Sequence, residues 1–191
     1  MGTFTLIEMT ARPGGLPALV AALSEAWSPR PPDRLRGCWS VDLGVLNRVI
    51  VLAEGGQPVE LPLGTVHSDI EVTRSVWHGL PDLMLPSPGK HGPCYELRCY
   101  DVLPDRIADV HAAFLGALPT RCALSPLLIA MQSADGAPRF AHIWPYAGLD
   151  ARQAIRADAV ATGQWPPPVS SFLAGRMTAE IMWPLTFSPL Q

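Results

Sequence analysis

The chain repeats itself at a fixed distance of 91 residues. Residues 4–9 align without a gap on residues 95–100, and residues 48–52 align on residues 139–143. A constant offset over about fifty residues indicates one structural unit present twice, and such a repeat constrains the fold more than any single element does. A repeated unit can also close on its own copy and enclose a cavity, which is where we expect a function.

The composition describes a globular protein and excludes several partners. The chain has 191 residues, of which 48% are hydrophobic and 16% are charged, with a net charge of −3 and no basic run. Nucleic acid is therefore not an expected partner, and the short, interrupted apolar stretches predict no membrane partner. Residues 1–4 lead directly into a strand-like run without a signal-type core, so we expect a cytoplasmic location. One lysine against thirteen arginines, beside much Ala, Gly and Pro, indicates a GC-rich bacterial source.

Apolar periodicity and the Pro/Gly breaks predict the same order of elements in each copy. In the first copy we expect strands at 3–11, 37–44, 46–54 and 68–77, and a helix from 16 to 27. In the second copy we expect strands at 94–102, 126–133, 138–146 and 176–183, and helices from 107 to 118 and from 150 to about 162. The order β-α-β-β-(α)-β is that of a ferredoxin-like α+β unit, whose sheet has helices on one face and needs a partner on the other. We therefore expect a first domain at 1–78, a linker at 79–93 and a second domain at 94–191.

The second copy resembles the NIPSNAP family. The resemblance rests on residues 95–100 (Tyr-Glu-Leu-Arg-Cys-Tyr), on residues 139–146 (Arg-Phe-Ala-His-Ile-Trp-Pro-Tyr) followed by Leu149, Asp150 and Arg152, and on the ending at 184–190. The first copy is a degenerate match, in which the family's Glu, Arg, His and Trp are replaced by Thr5, Ile7, Val51 and Ala53. The resemblance implies tandem ferredoxin-like repeats that form a dimeric α/β barrel as a pseudo-dimer within one chain. Relatives in that superfamily include cofactor-free monooxygenases, lactone isomerases, polyketide cyclases and haem-binding enzymes, so the resemblance fixes no single activity.

Three polar residues at the start of the second copy are candidates for a catalytic site. Glu96, Arg98 and Tyr100 share one face of their strand, because side chains alternate along a strand with a period of two. In a functional site Arg98 would bind an anion or enolate, Glu96 would act as acid or base, and Tyr100 would donate a hydrogen bond. The alternative is a structural Glu-Arg-Tyr network between the two sheets, because buried polar groups need partners.

Histidine and aromatic residues of the second copy supply the other candidates. His142 has the same strand parity as Trp144 and Tyr146, and it could be a general base or a satisfied core histidine. We expect Trp144, Tyr146 and Phe140 to contact a substrate. His111 lies on the apolar stripe of its helix, so it leans toward the sheet and the ligand unless it reaches solvent at the flank.

The sequence supports neither a metal site nor a bound cofactor. His67, His78 and His91 lack the spacing of a zinc site, and no nucleotide, flavin or serine-hydrolase motif occurs. Haem stays open by the superfamily analogy, although no residue identifies an axial ligand. The four cysteines have no Cys-x-x-Cys pairing, so we expect reduced thiols, with Cys99 inert on the helix-packed face of its strand.

Two classes of function are consistent with these observations. The first is a cofactor-independent enzyme of secondary metabolism that isomerises, cyclises, dehydrates or monooxygenates a small hydrophobic oxygenated metabolite. In that hypothesis Arg98 stabilises an oxyanion, while His142 or Glu96 moves the proton. The second is a non-catalytic module that binds a small molecule or another protein. Both place the site in the second copy, and a homodimer stays open in either class.

Overall fold

The structure is a computed structural model that describes residues 2–57 and 59–191. These residues form β1 (Thr3–Ala11), α1 (Leu16–Trp27), β2 (Leu35–Leu43), β3 (Arg48–Glu54), β4 (Ile70–Gly79), β5 (Cys94–Val102), α2 (Ile107–Cys122), β6 (Ile129–Ser133), β7 (Arg139–Tyr146), α3 (Leu149–Ala161) and β8 (Leu173–Pro184). None of the helices among them is long and apolar enough to span a bilayer.

The eight strands of the described residues close into one barrel. Their order around the barrel is β1-β3-β2-β8-β5-β7-β6-β4, and neighbouring strands pair antiparallel. Each half has the same internal order, β4-β1-β3-β2 in the first and β8-β5-β7-β6 in the second. The halves join where β2 pairs with β8 and where β4 pairs with β6. This topology confirms the predicted α+β fold, in which tandem ferredoxin-like units form a pseudo-dimeric α/β barrel within one chain.

Alternation along the strands gives each sheet two apolar faces. The barrel interior is filled from both halves, with Leu6, Trp39 and Tyr95 among its side chains. The outer face of the first half packs under α1, and that of the second half packs under α2 and α3. Cys99 faces the barrel interior beside Leu97, so the prediction that it lies on the helix-packed face is wrong. Periodicity groups residues by face, but it does not tell which face the helices cover.

Glycine and proline set the ends of the first helix. α1 begins after Gly15, carries Pro17 in its first turn and ends before Pro29, because a proline has no N–H to donate inside a helix. In the first half a short 3-10 helix, Gly64–Asp69, stands where the second half has α3. The first half therefore covers its outer face with one long helix, as predicted.

The two halves exchange covering segments. After β8 the chain returns to the first half, where Leu185 and Phe187 pack under α1 and the Phe187 ring meets the edge of Trp27 at 5.9 Å. Conversely, Leu80 and Leu83, which follow β4, pack with the cluster under α2. Each half therefore completes the core of the other.

Candidate functional site

A cavity of about 270 Å³ lies between the outer face of the second-half sheet and the helices that cover it. β5, β7 and β8 supply its floor, α2 and α3 its walls, and the segment from 165 to 170 covers it. Most of the lining is apolar and includes Val110, Phe114, Trp165, Val169 and Leu173. Small-molecule sites typically measure about 300–1,000 Å³, so this cavity suits a small ligand.

The structure brings the predicted site residues together on the helix-covered face. Four of them line the cavity, namely Arg98, Tyr100, Phe140 and His142. Three others are buried on the same face without lining it, namely Glu96, Trp144 and Tyr146. His111 leans from α2 toward the sheet, with its ring 5.8 Å from that of Phe140, and it too lies outside the lining. The alternative position considered for the Glu-Arg-Tyr network, between the two sheets, is wrong.

Glu96 is the centre of an ion-pair network beside the cavity. Its fully buried carboxylate accepts a hydrogen bond from Arg152 Nη2 at 2.6 Å and one from the Tyr146 hydroxyl at 3.4 Å. Arg156 Nη1 lies 3.9 Å from Oε2, and Arg98 Nε lies 4.0 Å from Oε1. A carboxylate held in this way is suited to positioning arginines rather than to transferring a proton to a ligand.

Positive charge exceeds negative charge at this end of the cavity. Arg98, Arg152 and Arg156 share Glu96 as their ion-pair partner among the described residues. Arg98 and Arg156 line the cavity, and the buried Nε of Arg98 has no hydrogen-bond acceptor in the described chain. Burial lowers the pKa of Arg156, and the neighbouring Arg98 lowers it further, because two cations lie close together in a partly dry site. This arrangement favours an anionic oxygen on the ligand.

His142 presents a neutral ring in a defined tautomer. It is only 2% exposed, and Trp144 Nε1 donates a hydrogen bond to its Nδ1 at 2.6 Å. An indole N–H can only donate, so we assign the lone pair to Nδ1 and the proton to Nε2. Burial lowers the pKa of His142 well below its ordinary value, and Arg98, Arg121 and Arg156 lower it further. Such a ring can donate a hydrogen bond from Nε2, but it offers no free lone pair for the expected role of base.

Tyr100 adds a second neutral donor to the cavity. Burial raises the pKa of its phenol, and the opposing effect of Arg98 is smaller, so the hydroxyl keeps its proton at neutral pH. Its ring packs against that of His142 at 5.4 Å, and Arg98 lies 5.7 Å from its centre. The phenol is therefore fixed next to both other polar groups of the lining.

Arg121 is a buried cation surrounded by aromatic rings. It is 2% exposed and forms no ion pair in the described part of the chain. Its Nη2 donates to the Tyr146 hydroxyl at 2.9 Å, and its guanidinium lies 4.1 Å from the Trp144 ring and 5.7 Å from the Trp165 ring. Aromatic faces attract a cation, so Arg121 holds these rings in place behind His142.

Three arginines of the site, Arg121, Arg152 and Arg156, are not among the site residues predicted from the sequence, although Arg152 contributes to the NIPSNAP resemblance. A signal was present for the last two, because like charges four residues apart on one helix face repel and indicate an anion opposite them. Arg121 has no such signal, since it lies in the last turn of α2, where basic residues are common. No role for the covering segment from 165 to 170 was predicted from the sequence.

The matching positions of the first half contain aliphatic side chains. Arg98, Tyr100, Phe114, Phe140 and His142 stand 91 residues after Ile7, Met9, Leu23, Val49 and Val51, all of which are fully buried. Leu61, Leu63 and Val66 pack against this set from the connection that precedes β4. The same fold therefore holds an open, polar-ended space in one half and a filled core in the other.

We searched the described residues for a metal-binding cluster and for a reactive thiol. No three His, Cys, Asp or Glu side chains among them gather closely enough to hold a metal ion. Burial raises the pKa of Cys99 to about 11, so its thiol stays protonated at neutral pH.

The fold and the cavity define a class of protein, the dimeric α/β barrel, here closed within a single chain. Residues 95–189 match the model of the NIPSNAP family. Among curated proteins, none matches the chain.

Solved structures share the whole fold at low sequence identity. The chain is similar to a proposed monooxygenase from Lactobacillus acidophilus NCFM, with a TM-score of 0.65, 11% identity and coverage of 97% of this chain and 94% of the other. It is also similar to an anthrone oxidase-like protein, with a TM-score of 0.64, 10% identity and coverage of 95% and 91%. A NIPSNAP-like domain protein from Burkholderia xenovorans is 28% identical, covers 52% of this chain with 90% of its own length and has a TM-score of 0.46. The first two similarities show the fold alone.

Proposed function

We propose that the second-half cavity binds a small hydrophobic molecule through an ionised oxygen and acts as a cofactor-independent active site. The observation that carries this proposal is the excess of arginine over carboxylate at one end of an apolar cavity. Arg98 and Arg156 line that end, and the carboxylate of Glu96 lies behind them. An enolate or phenolate would supply the missing negative charge, and its carbon skeleton would fill the apolar remainder.

The polar groups of the lining have separate roles in this proposal. Arg98 and Arg156, whose side chains are partly buried, stabilise the ligand's oxygen anion electrostatically. His142 donates from Nε2 and Tyr100 donates from its hydroxyl. Glu96 and Arg121 position these groups without contacting the ligand. Among the described lining residues none carries a carboxylate, so the ligand's proton is released to water as the arginines lower the pKa of the ligand.

An anion of this kind gives access to the reactions named above. Isomerisation, cyclisation and dehydration proceed through an enolate, and an electron-rich anion can also react with dioxygen. For an activated methylene, the methylene compound and one dioxygen molecule give the corresponding ketone and one water molecule. Both C–H bonds break, one oxygen atom enters the carbonyl, the other leaves as water with the two protons, and dioxygen accepts all four electrons. No reductant or bound cofactor is needed, and the names of the two similar structures favour testing oxygenation first.

The second candidate is a carrier that binds the same anion without turning it over. The lining favours this candidate in one respect, because none of its described residues has a side chain that can act as a base at neutral pH. Secondary metabolism, a bacterial source and a cytoplasmic location belong to the enzyme proposal as its expected setting. The same experiment separates the two candidates.

The test compares anthrone with anthracene. Anthrone loses a proton from the methylene of its central ring and forms an enolate, whereas anthracene has no oxygen. We expect the full chain to bind anthrone in titration calorimetry, to bind anthracene more weakly, and to consume dioxygen with anthrone. Arg98→Ile, which installs the residue found at position 7, should weaken anthrone binding about tenfold or more, because a charge-assisted contact is lost. The melting temperature should stay nearly unchanged, since Glu96 keeps its shorter bond to Arg152.

The outcomes separate the hypotheses. Binding without oxygen consumption or product would support the carrier and contradict the enzyme. Equal binding of anthrone and anthracene, or unchanged binding in Arg98→Ile, would contradict both. Arg74→Ile is the matched control, because Arg74 is exposed on β4 outside the cavity.

A further inference from the structure

A second cavity, of about 650 Å³, opens at one end of the barrel interior. Both halves of the chain line it, and its lining is rich in charged side chains. The sheet separates it from the apolar cavity, since Arg98 faces the helices whereas Cys99 faces the barrel. We name it the barrel-mouth cavity, and nothing in the proposed function uses it.

One arginine of the barrel-mouth cavity, Arg48, is paired with two carboxylates. Arg48 is the first residue of β3, the third strand of the first half. Its Nη1 lies 2.7 Å from Glu8 Oε1 and 3.2 Å from Glu180 Oε1, and its Nε donates to the Thr10 hydroxyl at 3.1 Å. Two carboxylates and a hydroxyl therefore occupy the N–H groups on Nη1 and Nε of this guanidinium.

The matching arginine of the second half has neither counter-ion. Arg139 is the first residue of β7, the third strand of its half, and it lines the same cavity. By strand register, Cys99 on β5 is the counterpart of Glu8 on β1. Ser75 on β4 is the counterpart of Glu180 on β8. Among the described residues no carboxylate pairs with Arg139 and no acceptor bonds its side chain. The guanidinium is left with positive charge and unused donors.

Trp77 holds the Arg139 side chain in a position that leaves those donors accessible. The guanidinium lies over the Trp77 ring, 4.8 Å from its centre. This contact uses the charge of the guanidinium and not its N–H donors, and no nitrogen of the Arg139 side chain is buried without a partner in the described chain. Its N–H groups can therefore meet an oxyanion in a bidentate manner. The Trp77 indole is itself fixed, because Nε1 donates to the Ser75 hydroxyl at 2.8 Å.

Other charges of the barrel-mouth cavity limit what can bind there. Arg176 lines the cavity without an ion pair in the described chain and adds a second positive charge. Asp101 and Glu71 also face the cavity, and Asp101 lies opposite Arg139 in the strand pairing. No ion pair joins Asp101 to Arg139 in the described structure. A compact group that meets Arg139 directly is favoured over an extended polyanion, which these two carboxylates would repel.

We propose that the barrel-mouth cavity binds a small oxyanion, a carboxylate or phosphate group, through Arg139 with Arg176. The oxygen atoms of the ligand take the place at Arg139 that Glu8 and Glu180 take at Arg48. A planar guanidinium can donate two parallel hydrogen bonds to the oxygens of a carboxylate or a phosphate. Such charge-assisted hydrogen bonds are stronger than hydrogen bonds between neutral groups.

The test is titration calorimetry of the full chain at low ionic strength with inorganic phosphate, methyl phosphate and acetate, which lack the hydrophobic skeleton that the apolar cavity is proposed to bind. We expect saturable one-to-one binding, and the three probes distinguish free phosphate, a phosphate monoester and a carboxylate. Arg139→Gln should weaken binding about tenfold or more. Arg74→Gln should leave binding unchanged, because Arg74 is an exposed arginine of β4 outside this cavity. Arg98→Ile should also leave it unchanged, which separates this site from the apolar cavity.

Cys99→Glu is the second variant, because it gives Arg139 the carboxylate that Glu8 gives Arg48. We expect this variant to fold with an unchanged or raised melting temperature and to lose anion binding. Wild-type protein that binds none of the three anions saturably would overturn the proposal. So would Arg139→Gln or Cys99→Glu protein that is folded by circular dichroism and binds as wild type does.

Discussion

His142 and Val51 occupy matching strand positions, and both are buried on a helix-covered face. Valine has no polar atom to satisfy, so the first half needs nothing more at this position than apolar neighbours. A histidine in the same place must lose its charge and find a donor, which Trp144 supplies at Nδ1. The first half has Ala53 where the second has Trp144. The two differences belong together, because the histidine is satisfied by the tryptophan.

The buried neutral state of His142 predicts a loss of stability in acid. Its folded pKa is depressed by burial and by three arginines, so above about pH 6.5, the ordinary value, both folded and unfolded chains carry it uncharged. Below that pH His142 becomes protonated in the unfolded chain but stays neutral in the folded chain. The free energy of unfolding therefore falls until the pH reaches the folded pKa of His142. We expect His142→Val to reduce this dependence by up to about 1.4 kcal/mol per pH unit, measured by urea unfolding from pH 5 to 8.

The pH dependence of the unfolding free energy is compared between the His142→Val variant and the wild type, because other groups contribute to both. Burial also lowers the pKa of His111, which adds a dependence of the same sign to both proteins. His111→Ala is therefore the companion variant, and its effect should add to that of His142→Val. Identical slopes for wild type and His142→Val would show that His142 is not held neutral.

At the scale of elements, α3 is attached to the barrel more by charge than by apolar contact. Ala159 is its one fully buried residue in the described chain. Arg152 and Arg156, one turn apart, both reach Glu96 on β5. Because α3 forms one wall of the apolar cavity, this contact also sets the position of the wall.

Glu96→Gln tests how α3 is held. We expect a loss of unfolding free energy of about 2–4 kcal/mol, somewhat below the value for a fully buried pair, since the arginines are partly exposed. Amide hydrogen exchange should rise most in residues 149–161, while α2 keeps its protection. Arg106→Gln is the control, because it removes the exposed Arg106–Asp109 pair of α2 and should cost less than about 1 kcal/mol. A uniform rise in exchange across the barrel would contradict this assignment.

The elements could be predicted from the sequence because local signals determine them. The stripe that begins at Leu16 and the break at Pro29 fix α1, and the alternation in 95–100 fixes β5. The 91-residue offset relates the strands and the first helix of one half to those of the other, whereas α3 has its own local signal after Leu149. The face that the helices cover could not be predicted, because the period-two pattern is the same for both faces of a strand buried on both sides. Cys99 was misplaced for this reason.

The candidate site could be predicted only where its residues lie on strands. Arg98, Tyr100, Phe140 and His142 share a face of two paired strands, and strand parity grouped them correctly. The tautomer of His142 could not be predicted, since it depends on where a neighbouring indole N–H points. The cover from 165 to 170 and the ring stack at Arg121 depend on tertiary packing, for which the sequence carries no periodic signal.

At the scale of the whole molecule, the two halves have the same architecture but differ in what lies between the sheet and its covering helices. The same strand order recurs in both, which is what duplication of one unit would produce. The first half fills its outer face with aliphatic side chains and stabilises the barrel, while the second keeps an open cavity. Because each half covers the other with its trailing segment, and both fill one barrel interior, we expect them to unfold together.

Phe187→Ala tests this mutual dependence from the far end of the chain. Phe187 belongs to the second half, but its ring packs against Trp27 of the first, and Leu185 N bonds Cys38 O at 2.9 Å beside it. We expect a loss of about 2 kcal/mol, less than for a fully buried phenylalanine, because the ring is half-buried. Circular dichroism and tryptophan fluorescence should still report one coincident transition, since a first half that has lost its cover leaves the shared barrel interior exposed. Thr186→Ala, one residue away and exposed, should change little. Two separate transitions in Phe187→Ala would mean that the halves fold as independent domains and that the barrel does not couple them.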